Sequence, residues 1–164
     1  MKSDKDDVLR QQLVALLGGG NAHMGFDAAV SGFPMDDINK PVPQGTYLVW
    51  HLLQHMQIVQ WDILGFVRNP DHVSPDFPDG YWPPPNEEAT PLLWNEIVKG
   101  FQKDLGAVIE IVKDPETDFF APIPHAKDYT VFREVLLVAD HNAYHLGELV
   151  SLRRVLNMQP IKEY

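Results

Sequence analysis

The chain has 164 residues, 45% of them hydrophobic and 22% charged, which suits one domain spanning residues 1–164 and excludes a disordered polymer. Its 11 glycines follow no period and it has no cysteine, so collagen, a disulfide framework, thiolate zinc, iron–sulfur clusters and a protein-borne thiol nucleophile are excluded. With 13 Lys plus Arg against 23 Asp plus Glu the formal net charge is −10, the wrong sign for binding nucleic acid or an anionic membrane.

The opening residues, MKSDKDDV, are charged throughout and lack the apolar stretch of a secretion signal. No apolar run nears the ~20 residues of a spanning helix, so a soluble, cytoplasmic protein is expected. A first helix begins near Asp4, with Asp6 and Asp7 in the acidic first turn and Val8, Leu9, Leu13, Leu16 and Leu17 repeating at threes and fours. Gly18, Gly19 and Gly20 break it, and Ala22, Phe26, Ala29 and Val30 resume the pattern as a second piece. These glycines are no phosphate cradle, because no Lys-Ser/Thr follows and no strand precedes. Phe33-Pro34 and Pro41-Val42-Pro43 bracket a loop.

The second long segment runs from about Gly45 to Arg68, with Leu48, Leu52, His55, Val59, Asp62 and Phe66 on one face and Asn69-Pro70 as its stop. Half of the 14 prolines then fall between Pro70 and Pro91, which rules out a helix there. Phe77, Tyr81 and Trp82 in that stretch predict an ordered connection packed by aromatic rings. Thr90-Pro91 reads as an N-cap followed by proline at the first helical position. The third main helix spans roughly Pro91 to Lys113, with Leu93, Ile97, Phe101, Leu105, Val108 and Val112 inward, and Asp114-Pro115 ends it. A loop with Pro122 and Pro124 leads to Asp128 as N-cap of a last helix, Tyr129 to about Asn157. No sustained strand alternation or internal repeat is visible. The expected fold is therefore an all-α up-down bundle with a long proline-rich connection between the second and third main helices.

The last helix holds Asp140-His141-Asn142-Ala143-Tyr144-His145. Histidines at i and i+4 project from one face about a turn apart, so both rings can reach one cation. Two ligands are too few, and a third is expected from a facing helix. The second long helix offers His51 and His55, also four apart; His55 lies on the apolar stripe and is preferred, with His51 as an edge residue that can replace or accompany it. Seven histidines make a chance pair ordinary, but His141 and His145 interrupt an apolar face built by Phe132, Val135, Val138, Leu149 and Leu152. Neutral imidazoles buried there need partners, and a shared cation supplies one.

The runs Trp50-His51-Leu52-Leu53-Gln54-His55-Met56, Gln60-Trp61-Asp62-Ile63-Leu64, Pro78-Asp79-Gly80-Tyr81-Trp82-Pro83 and Asp140 to Leu149, with Asn21-Ala22-His23 and Phe33-Pro34, resemble the DinB-like (DinB/YfiT-like) superfamily over nearly the whole chain. The resemblance implies a four-helix bundle, a homodimer, and one divalent metal per chain on His55, His141 and His145. It also implies hydrolysis or transfer of low-molecular-weight thiols, while the family name, taken from damage-inducible expression, says nothing about contacting DNA. Three imidazoles leave an open coordination position and suit zinc, nickel, copper or iron alike, with zinc or nickel the first expectation. With no cysteine in the chain, any thiol chemistry needs a thiol cosubstrate. Asp62, seven residues after His55, is a candidate to orient an imidazole or act as base; the competing role is a salt bridge to Arg133 or Arg153. Glu148, seven after His141, reads as a bundle-edge carboxylate. Asn142 and Tyr144 face other helices or solvent, and Trp50, Trp61 and Trp94 belong to the core or a subunit interface. Tyr81 and Trp82 either cover the metal mouth or pack the loop. The alternative function is a non-catalytic helical dimer whose metal or histidines are structural.

Overall fold

The computed structural model describes residues 4–156. In chain order these form α1 (Asp4–Gly18), the five-residue α2 (Phe26–Val30), α3 (Val49–Arg68), α4 (Pro91–Lys113), a hairpin of β1 (Pro122–Ile123) and β2 (Ala126–Thr130), and α5 (Val131–Val155). The fold is thus mostly helical. α3 lies against both α4 and α5, α1 also packs on α4 and α5, and α2 packs on α5. Among the described residues no helix is long and apolar enough to cross a membrane. Asn157, the expected end of the last helix, lies outside the described residues.

Local sequence explains most boundaries. α1 stops at the glycines because Gly19 and Gly20 adopt φ of 67° and 81°, a region only glycine enters without strain. Thr90 caps α4 by accepting from the Leu93 N–H at 3.2 Å, with Pro91 inside the first turn. α3 begins later than its hydrophobic pattern, at Val49 rather than Gly45. The chain before it is held in a turn where Val42 N–H bonds the Tyr47 carbonyl, and the first helical N–H groups are taken by upstream carbonyls: Val49 by Lys40 and Trp50 by Ile38.

Three further expectations are corrected. The last helix is capped by Thr130, whose hydroxyl accepts from Arg133 N–H at 3.2 Å, while Asp128 and Tyr129 lie in β2. The hairpin itself left no alternation to read, because β1 is two residues long and its pairing (Pro122 with Thr130, Ile123 with Ala126) is irregular. On α1 the buried residues are Arg10, Leu13 and Leu17, whereas Val8 and Leu16 are 54% and 46% exposed; the helix rotates to bury a guanidinium in their place.

That guanidinium ties two elements together. Arg10 donates to the carbonyls of Val112, Asp114 and Thr117 at 2.7–2.8 Å, lies over the Phe119 ring, and pairs with Asp6. It thereby satisfies the carbonyls left open at the end of α4. At the other end, Arg153 donates to the Ala29 and Ser31 carbonyls at the close of α2. Between them the core forms two clusters. One contains Phe26, Trp50, Leu53, Trp94, Phe101 and Leu149; the other contains Leu13, Leu17, Ile63, Val108, Val135 and Val138. Trp50 and Trp94 are core residues as expected, while Trp61 is 44% exposed. The proline-rich connection is ordered: Asn39 exchanges two hydrogen bonds with Ala89, and the Glu87 carbonyl accepts from Trp50 Nε1 and His51 Nε2.

Two stability measurements follow. Arg10→Ala strands three carbonyls and should cost about 2–3 kcal/mol in urea unfolding. Asp104, on the buried face of α4, has its carboxyl pKa raised by burial despite a 3.4 Å bond from Gln57. Folding therefore favours the protonated acid, and stability falls as pH rises from the ordinary carboxyl value through the raised one. Asp104→Asn should raise Tm at pH 7 and lose that advantage near pH 3, where wild-type Asp104 is protonated.

Candidate metal centre

α3 and α5 run past each other at the junction of the two core clusters. His55 follows Leu52 and Leu53 of one cluster, and His141 and His145 stand between Val138 of the other and Leu149 of the first. One nitrogen from each of the three rings lies within 4.8 Å of the others. His55 Nε2 and His141 Nε2 are 3.1 Å apart. Nitrogens sharing a tetrahedral ion with ~2.05 Å bonds stand roughly 3.3 Å apart. The three residues singled out in the sequence therefore converge with spacing suited to one cation.

The hydrogen bonds outside the cluster decide which nitrogens face inward. His55 Nδ1 sits 2.9 Å from the Tyr81 carbonyl, which can only accept, so Nδ1 carries the proton and Nε2 is bare. His145 Nδ1 sits 3.0 Å from Glu148 Oε2, which fixes the same tautomer there. His141 Nδ1 is buried, and none of the described residues partners it. Burial, with the two neighbouring imidazoles as lesser causes, pushes the His141 pKa down to about 3, and burial also lowers that of His55. These two rings are neutral at pH 7 and offer lone pairs. His55 Nε2 either accepts from a His141 Nε2–H or, where His141 carries its proton on Nδ1, meets a second lone pair that only a positive charge between them turns from repulsion into attraction. The donor set fits a divalent ion.

Around the ligands lies a shell of aromatic and acidic groups. Glu148 accepts from His145 on one oxygen and from the Tyr47 hydroxyl on the other. This raises the phenol pKa, burial being the larger cause. Trp82 stacks on His55 with ring centres 4.0 Å apart and planes 4° from parallel, and it meets Tyr47 at 5.0 Å. Tyr144 is 72% exposed and stands edge-on to His145, and Asn142 is buried, donating to Gln60 at 2.8 Å.

Two candidates take other places. His51 is buried, and its Nδ1 accepts from Leu48 N–H at 3.2 Å, so its Nε2 donates to the Glu87 carbonyl at 3.2 Å. Both nitrogens are spent on closing the start of α3 and pinning the proline-rich connection. Asp62 accepts from His72 Nε2 and from the Tyr81 hydroxyl, each at 2.7 Å, and touches no imidazole of the centre. Nor does it pair with Arg133, which bonds Glu134 at 2.6 Å, or with Arg153. The carboxylate on a histidine of the cluster is Glu148, and its i,i+3 offset from His145 was the available signal. The Tyr81 carbonyl and the Tyr47 hydroxyl left none, because loop geometry alone brings them in. No protein-family model, curated protein or solved structure matches this chain.

The division between the two histidines of α3 can be measured. Loaded with zinc and dialysed, His55→Ala should lose the ion that the three-histidine centre is expected to hold in the wild-type chain. His51→Ala should keep that zinc while unfolding about 2 kcal/mol more easily, through its two lost hydrogen bonds.

Proposed function

We propose that this chain is a divalent-metal protein of the DinB-like type. In this reading its four long helices form a bundle, and one zinc or nickel ion is held by His55, His141 and His145. The observation that carries the reading is the convergence of one nitrogen from each of His55, His141 and His145 to within 4.8 Å of one another, with the other nitrogen of His55 and of His145 bonded to an outer acceptor. Three neutral imidazoles leave a divalent ion its full charge and an open position, where it would lower the pKa of a bound water or thiol.

The chain's own residues then have separate tasks. Glu148 orients His145 and strengthens it as a donor, and the Tyr81 carbonyl orients His55. Trp82 covers one face of His55 and keeps water from it. We assign hydrolysis, or transfer of a low-molecular-weight thiol, as the reaction class. In the second case the sulfur comes from a cosubstrate, since the chain has no cysteine. The same resemblance leads us to propose a homodimer. One observation favours a second reading, a structural centre in a non-catalytic dimer: His55 and His145 are only 8% and 9% exposed.

Elemental analysis of protein purified without an affinity tag should give close to one zinc or nickel per chain, and a metal-free chain overturns the proposal. Chelation separates the two readings. A catalytic centre loses its metal with a small change in Tm, whereas a structural one unfolds the chain.

A further inference from the structure

Asp62 is buried on α3, two turns beyond His55, and both its oxygens are engaged away from the histidine cluster. What it holds, however, leads directly back to that cluster. Its Oδ2 accepts from the Tyr81 hydroxyl, and the Tyr81 carbonyl accepts from His55 Nδ1. The next residue, Trp82, is the ring stacked on His55. Its Oδ1 accepts from His72, which lies over Gly65 so closely that a Cβ there would fall 2.5 Å from the imidazole. One carboxylate thus anchors the proline-rich connection to α3 at two points, His72 and Tyr81. The same connection delivers the carbonyl and the indole that fix His55.

We infer that Asp62 is a positioning residue for the three-histidine centre: through Tyr81 it sets the carbonyl that orients His55 and the indole that covers it. The inference rests on the metal reading above. A ring held by one carbonyl acceptor is aimed only as well as that carbonyl is held, and the only regular structure in residues 69–90 is the single 3-10 turn Asp79–Tyr81, which the Asp62 bond fastens to α3. Without the Asp62 anchor, Tyr81 keeps its backbone and its Ser74 bond within the connection but loses its side-chain tie to α3. His55 then samples orientations in which Nε2 no longer faces His141. Coupling of this kind is reciprocal, so a cation at the centre also tightens the connection.

The test is cobalt(II) titration of the full chain, read by the visible spectrum of the bound ion and by quenching of tryptophan fluorescence. Asp62→Ala and Tyr81→Phe should each weaken cobalt binding by about 10-fold or more, the effect typical of groups that orient metal ligands. Both should also shift the cobalt spectrum. Asp62→Asn can still accept from Tyr81 and donate to the opposite tautomer of His72, so it should bind closest to wild type. Arg10→Ala, which destabilises by removing bonds to the Val112, Asp114 and Thr117 carbonyls and none to the proline-rich connection, should leave cobalt affinity unchanged. Tyr81→Phe removes a single oxygen and keeps the test open if Asp62→Ala does not fold. Wild-type affinity and spectrum in folded Tyr81→Phe overturn the inference while leaving the metal reading intact. A wild-type chain that takes up no cobalt removes the centre itself, and the inference with it.

Discussion

The structure depends on how three imidazoles are accommodated inside an apolar fold. A neutral imidazole has one donor and one acceptor, and burial makes either costly if left alone. Here two donors are answered from outside the cluster, by a loop carbonyl on His55 and a carboxylate on His145, and this forces the acceptors together. The outer partners therefore determine the inner chemistry. Remove them and the same three residues become ordinary buried histidines, free to turn.

The helices can present these rings because the polar groups lie at one level of the chain. Gln60 donates to the Phe101 carbonyl at 2.7 Å and accepts from Asn142, tying α3, α4 and α5 together next to the histidines. The carbonyl can only accept, so the orientations of both amides follow from it. Above and below this level the contacts are apolar, in the two clusters to which α3, α4 and α5 all contribute. Arg10 and Arg153 close the far ends by satisfying carbonyls at the ends of α4 and α2. Most polar groups of the central layer and the two end caps bond one another or a backbone carbonyl, although among the described residues Asn142 Oδ1, Arg153 Nε and His141 Nδ1 find no partner.

Much of this was legible in the sequence, for identifiable reasons. Periodicity and Pro/Gly punctuation located α1, α4 and the proline-rich connection, because those signals act within a few residues. The spacing of His141 and His145 within an apolar face, with His55 on the facing stripe, located the cluster. What could not be read were effects that arise only on assembly. Arg10 looks like a solvent-facing residue until the carbonyls at the end of α4 arrive beside it. Asp62 and Glu148 both follow a candidate ligand by seven positions; the further offset of three from His145 marks Glu148, while the position of the loop over α3 decides what Asp62 holds. His51 has the same spacing to His55 as His141 has to His145, yet it serves a helix start, because Leu48 N–H and the Glu87 carbonyl claim its two nitrogens.

The three ligands end in unequal surroundings, and the inequality has consequences. His145 is backed by a carboxylate that is itself held by Tyr47, so its ring is the most strongly polarised donor. His55 is backed by a neutral carbonyl and fixed mechanically by the Trp82 stack. His141 has no outer partner, and its Nδ1 is enclosed. That enclosed atom is unsatisfied in either tautomer. If Nδ1 bears the proton, a donor is stranded and three bare nitrogens face inward. If Nε2 bears it, the ring donates to His55 and strands an acceptor instead. Only in the first arrangement does a cation turn the inward lone pairs from a repulsion into bonds. The unpartnered ring is thus the one whose tautomer a cation would decide, while the other two are set in advance by the fold.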